Sequence, residues 1–136
     1  MLEPEHFDVQ EQSTPRYLAT IVGEDGVTMI PGSSLTTLTL TLYTKSAAGV
    51  VTILNGRHHQ NILNANGGLV YDVLQTDAAG HTYNLLWQTV VLDTTISNSA
   101  LAAEKHYALF EWSWAAGVKQ GKHEVVLVVK DLVEVG

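Results

Sequence analysis

The segment "LTTLTLTLY" at residues 35–43 limits the fold more than any other part of the chain. Leu38, Leu40 and Leu42 fall on alternate positions, with Thr37, Thr39, Thr41 and Tyr43 between them. A period of two puts the leucines on one face of an extended strand, whereas a helix would scatter them around its circumference. The β-branched threonines favour a pleated backbone as well. "HYALFEWSW" at 106–114 repeats the device: His106, Ala108, Phe110, Trp112 and Trp114 share one face, and Tyr107, Leu109, Glu111 and Ser113 the other. Aromatic residues in such a rank are expected to fill a core, with Trp114, nearest the following loop, the least enclosed. Tyr107 and Leu109 on the opposite face require cover by a loop or another subunit.

Other segments carry the same signal. "RYLATIVGEDGVTMIPG" alternates Tyr17, Ala19 and Ile21 before the turn signal Asp25-Gly26. "VVTILN" is a strand ending at Asn55-Gly56, "LVYDVLQ" alternates, and "TYNLLWQTVVL" is an apolar strand centred on Trp87. "KHEVVLVVKDLVEV" is apolar on both faces, as a strand inside a sheet is. The Asn- and Gly-rich "RHHQNILNANGG" reads as a loop or single helical turn with Ile62 and Leu63 inward, and "DTTISNSALAAE" as a connection with a helical turn near residues 100–104. No amphipathic stretch is long enough for a conventional helix. Seven or eight short strands with turn punctuation predict one antiparallel β-sandwich or barrel over residues 16–136, and 136 residues suffice to bury a core unaided.

Residues 1–15, "MLEPEHFDVQEQSTP", differ: they hold Glu3, Glu5, Asp8 and Glu11, no Lys or Arg, and two of the three prolines. Such a segment buries too little apolar surface to fold alone and is expected to be an extended acidic arm, anchored at most by Leu2, Phe7 and Val9. The net charge of −7 disfavours phosphate backbones and anionic membrane surfaces, so neither nucleic acid nor membrane is an expected partner. With no cysteine, disulfides, thiolate metal sites and a Cys nucleophile are excluded. The opening lacks the basic and apolar regions of a secretion signal, and no apolar run is long enough to span a bilayer. A soluble protein made in the cytosol of its producing cell is expected.

Catalytic patterns are sparse. His58 and His59 are adjacent, so in extended chain their rings diverge and cannot share an ion; His81, His106 and His123 could meet at a metal only if distant strands brought them together. There is no G-x-S-x-G and no phosphate-binding glycine motif, and Ser33 and Ser34 after Pro31-Gly32 read as turn formers. A hairpin could set Glu111 and Glu124 across from each other as a hydrolase pair, although a sandwich of this size leaves little room for a cleft. Trp87, Tyr107 or Trp114 could present a sugar-stacking face, the mark of a carbohydrate-binding module. No enzyme and no cofactor are expected.

"IPGSSLTTLTLTLYTKSAAGVVTILNGRHHQNILNANGGLVYDVLQ" together with "EKHYALFEWSWAAGVKQGKHEVVLVVKDL" resembles a group of small tailed-bacteriophage virion proteins. It is similar more loosely to the immunoglobulin-like N-terminal domain of phage baseplate upper proteins. The loop of that pattern matches at Asn55, Arg57, Gln60, Asn61, Leu63 and Asn64, and its aromatic strand at Ala108, Leu109, Phe110, Glu111, Trp112 and Trp114. Residues 67–95 run longer than the pattern. The resemblance implies an immunoglobulin-like sandwich with a structural role in the virion, synthesised in the host cytoplasm, and no catalytic residues. One compact domain with an arm and no added receptor-binding module leads to the expectation of a capsid decoration protein bound to the major capsid protein, or alternatively a tail, neck or baseplate component, assembled as a homo-oligomer in the particle. The surface meeting its neighbours is expected to include Leu2, Phe7, Tyr17, Arg57, His58 and Tyr107.

Overall fold

The leucine ladder becomes the middle of a two-layer β structure. A computed structural model describes residues 5–96 and 103–131. Nine strands are formed there: β1 (Glu5–Gln10), β2 (Arg16–Ala19), β3 (Leu35–Lys45), β4 (Val51–Ile53), β5 (Gln60–Asn61), β6 (Gly68–Thr76), β7 (Thr82–Gln88), β8 (Ala103–Trp114) and β9 (Lys119–Lys130). Short 3-10 turns at Gly32–Ser34 and Val91–Thr94 are the only helical elements among the described residues. One sheet has the order β1-β9-β8-β3-β4, with β5 also pairing β3, and the other has the order β2-β7-β6.

Register turns the period-two pattern into a core. Leu42, Ala108 and Val125 stand in one cross-strand row and Leu40, Phe110 and His123 in the next. The smaller sheet covers them with Tyr17, Val70, Leu85 and Trp87. Trp87 meets Phe110 edge-on at 5.5 Å between ring centres, and Tyr17 stacks on Phe110 at 5.5 Å. Leu38, Leu40 and Leu42 are fully enclosed, each such side chain contributing about 1.5–3 kcal/mol by leaving water. Close approach fixes Gly68 at the edge of this core, because a Cβ there would lie 2.1 Å from the carbonyl oxygen of Ile62.

The sandwich is not wholly antiparallel, and it has nine strands rather than seven or eight. The arm supplies one of the extra strands: β1 runs parallel to β9, from Glu5 opposite Val125 to Gln10 opposite Lys130. Its two inward apolar residues could not fold alone. The edge of β9, with Val125, Leu127 and Val129, gives Phe7 and Val9 apolar neighbours and the backbone its partners. The chain then crosses to β2 in the other layer instead of turning back, which leaves β1 and β9 in the same direction. The crossing is held: Gln12 sits at a φ of 59°, the Thr94 hydroxyl donates to Ser13 O (2.6 Å), and Gln88 Nε2 donates to Thr14 O (2.9 Å). The other unforeseen strand is the two-residue β5 inside the Asn-rich loop. Of the helical turn expected near 100–104, residues 100–102 lie outside the described ones, and Ala103 and Glu104 open β8.

Candidate functional site

Where β2 and the chain after it face the start of β9, the layers part and leave a cleft of about 410 Å³. Every residue from 17 to 24 lines it, as does every residue from 120 to 123, whereas β8 contributes only Phe110, Trp112 and Trp114. A strand shows alternate residues by its face and consecutive ones by its edge. The end of β2 with the chain that follows it forms one wall, the edge of β9 the other, and the aromatic face of β8 the floor. Trp112 stands opposite Gly121, and a Cβ on that glycine would lie 2.6 Å from the indole, so only glycine lets the ring lie flat on β9. The Trp112 Nε1 is buried and has no hydrogen-bond partner among the described residues. Lys119 and Glu24 are ion-paired beside this seam.

The outer face of the larger sheet carries polar chemistry. The Tyr43 hydroxyl donates to the Glu124 carboxylate, and its ring stacks on Tyr107 at 5.2 Å under the Lys45 ammonium. Desolvation, reinforced by the hydrogen bond to Glu124, pushes the Tyr43 hydroxyl well above the ordinary phenol range. The register places Lys122 opposite Glu111 and Leu109 opposite Glu124, which corrects the expected carboxylate pair. Glu111 instead lies 3.3 Å from His59 Nδ1, in a shallow depression with Thr37, Thr39 and Ser113.

A third cluster is buried. Asp93 accepts from Arg57 Nε (2.7 Å) and Asn55 Nδ2 (2.9 Å) on one oxygen, and from Arg57 Nη2 (3.0 Å) and the Val90 N–H (2.8 Å) on the other. Arg57 Nη1 donates to Gln60 Oε1 (2.9 Å) and Asn66 O (3.1 Å). Asn64 Oδ1 accepts from the Val70 N–H (2.9 Å). His106 beneath them contacts Asp93 O (2.7 Å) and Glu104 Oε1 (2.6 Å) through its two ring nitrogens. These polar groups hold the loop between β4 and β6 against the turn after β7.

The residues expected at an interface are scattered. Leu2 lies outside the described residues. Phe7 is 39% exposed and touches the buried Tyr17 edge-on at 5.7 Å. Arg57, 3% exposed, is committed to Asp93 and presents nothing to a neighbour; Tyr107 is half-buried and His58 exposed. The chain at His58 and His59 is not extended, since His59 has a φ of 49°, and the rings lie 4.6 Å apart instead of diverging. His81 sits beside Asp77, His106 is in the core and His123 lines the seam, so the structure does not bring the three together. Among the described residues no three metal-ligating side chains converge. Of the possible stacking residues, Trp87 is fully buried and Trp114 lines the seam. The seam itself was missed; its one signal in the sequence was a glycine, Gly121, in an otherwise regular strand.

No protein-family model matches the chain, and no curated protein matches it.

Proposed function

We propose that the chain is a non-catalytic structural subunit of a tailed-phage particle, an immunoglobulin-like sandwich that decorates the capsid and binds neighbouring subunits through its strand edges and N-terminal arm. One observation carries this reading: residues 5–10 acquire structure by adding to the edge of β9, the mode by which a subunit lends a strand to a neighbour. The phage-like loop supports it, since Asn55, Arg57, Gln60 and Asn64 all make structural bonds there. Partners are then the major capsid protein and further copies of the chain; a place in the tail, neck or baseplate is the variant of the same reading. Electron microscopy of phage particles incubated with gold-labelled protein tests it. Label spread over the capsid is the expected result, label confined to the tail tip defeats the decoration role, and failure to bind particles defeats the virion role.

The aromatic floor of the seam favours a second reading, a carbohydrate-binding module in which a sugar ring stacks on Trp112 or Trp114. A glycan array probed with folded protein checks it, and a blank array removes it.

A further inference from the structure

We propose that β1 is exchangeable: at high concentration a second copy of this chain lays its residues 5–10 along β9, and the two copies swap arms reciprocally. The receiving edge and its occupant are defined residue by residue, because the closed form shows them together. Glu5 to Gln10 stand opposite Val125 to Lys130, with Phe7 against Tyr17 and Val9 against the core. A second copy carries the same six residues, so exchange rebuilds the same contacts between chains. Little core opens on the way, since Phe7 is 39% exposed even when seated and Val9 is only half-buried. The inference deepens the structural role proposed above by giving the arm a definite partner. Purified protein suffices to test it, so its failure and a failure to bind particles are separate results.

The join between arm and body has the build of a hinge. On the body side the carbonyls of Ser13, Thr14 and Pro15 accept from Thr94 Oγ1 (2.6 Å), Gln88 Nε2 (2.9 Å) and the Thr89 N–H (3.2 Å). On the arm side the Glu11 N–H donates to Lys130 O (2.9 Å) and so continues the pairing with β9. Between these two anchored stretches lies Gln12, exposed and at a φ of 59°. A left-handed conformation lowers the population of a non-glycine residue by about tenfold, and extending Gln12 removes that cost. Extension gives up the Gln12 N–H bond to Thr94 O and the Ser13 bonds to Gln10 O. Gln10 and Gln12 are both exposed, so water takes over there. A short tether presents the chain's own arm at an effective concentration in the millimolar range, and the strained hinge brings the crossover to exchange down to about 0.1–1 mM.

The test exploits a chain without cysteine. Asp8→Cys combined with Val128→Cys sets thiols at directly opposed positions of β1 and β9, within reach of a disulfide. Full-length protein is oxidised at about 10 μM and at about 1 mM, then run on a denaturing, non-reducing gel, with light scattering giving the native mass. Each single-cysteine variant controls for chance collision. The expected result is an internally linked monomer at the lower concentration and a covalent dimer, joined at those two positions, at the higher. Added to the pair, Gln12→Gly accepts a positive φ freely and should raise the concentration needed for the dimer about tenfold. Gln12→Pro, whose ring holds φ at about −65°, should lower it about tenfold or more. Internally linked monomer alone up to about 2 mM overturns the proposal. So does a native dimer in which each chain closes its own disulfide, because its contact lies elsewhere. Equal behaviour of the glycine and proline variants refutes the hinge. Should the proline variant fail to fold, the cysteine pair on the natural hinge decides alone.

Discussion

Replacing Asp93 by Asn should be among the most damaging conservative changes in this protein. The side chain keeps its shape, but its two oxygens serve four donors: Arg57 Nε and Asn55 Nδ2 on one, Arg57 Nη2 and the Val90 N–H on the other. Asparagine supplies one oxygen and points an NH2 group at two of those donors. Asp93 is fully buried and Arg57 is 3% exposed, so water cannot take over. Leaving a buried charge uncompensated costs about 3–5 kcal/mol. Against a total stability of about 5–15 kcal/mol for a domain, that is a large share. With an unfolding entropy of about 2 cal/mol/K per residue, the melting temperature should fall by roughly 10–17 °C. Urea unfolding of wild type, Asp93→Asn, Arg57→Met and the double variant supplies the assay, with a coupling energy of at least about 2 kcal/mol expected between the two sites. A loss below about 1 kcal/mol for Asp93→Asn, or additive single changes, would refute the view that this ion pair anchors the loop.

Gly121→Ala should cost about 1–3 kcal/mol by lifting the Trp112 ring off β9, with tryptophan emission shifting to the red; unchanged emission and stability would contradict the flat packing. Leu40→Ala, at a fully enclosed position between the layers, should cost about 2–5 kcal/mol in the same denaturant assay. The Asp25 carboxyl is held down at about 2 by hydrogen bonds from the Thr28 hydroxyl and the Thr28 and Val27 N–H groups. A depressed folded-state value means that its contribution to stability is present above the unfolded value near 3.8 and is lost as pH falls through about 2. A carbon-13 titration of the Asp25 carboxyl should show that midpoint, and Thr28→Val should move it upward.

The parts of the fold visible in the sequence are those where one local pattern decides the outcome. Leu38, Leu40 and Leu42 alternate without interruption, and a strand buried on one face requires nothing more. His106, Ala108 and Phe110 are likewise enclosed, and Trp112 and Trp114 are both partly open members of that rank. Asp25 caps its turn, and Asn55-Gly56 takes positive φ angles of 52° and 64°, as such dipeptides do between strands. What escaped depends on partners distant in the chain. Residues 5–10 lack strand character until β9 provides an edge. The two-residue β5 exists because Thr39 and Leu40 of β3 stand beside Gln60 and Asn61. The two-residue offset between Glu111 and Glu124 on one face depends on register set by the intervening turn, which spacing alone leaves open. The seam lies between segments distant in the chain, residues 17–24 and 120–123, and Gly121 alone hints at it.

The parallel placement of β1 also determines how the domain answers to force. Glu5 stands at the Val125 end of the pair and Lys130 at the other, so tension applied between Glu5 and Lys130 slides the two strands along their common axis. All the rungs between them then bear the load together instead of parting one after another. An N-terminal strand that would peel away easily under a sideways tug becomes a shear clamp under a lengthwise one.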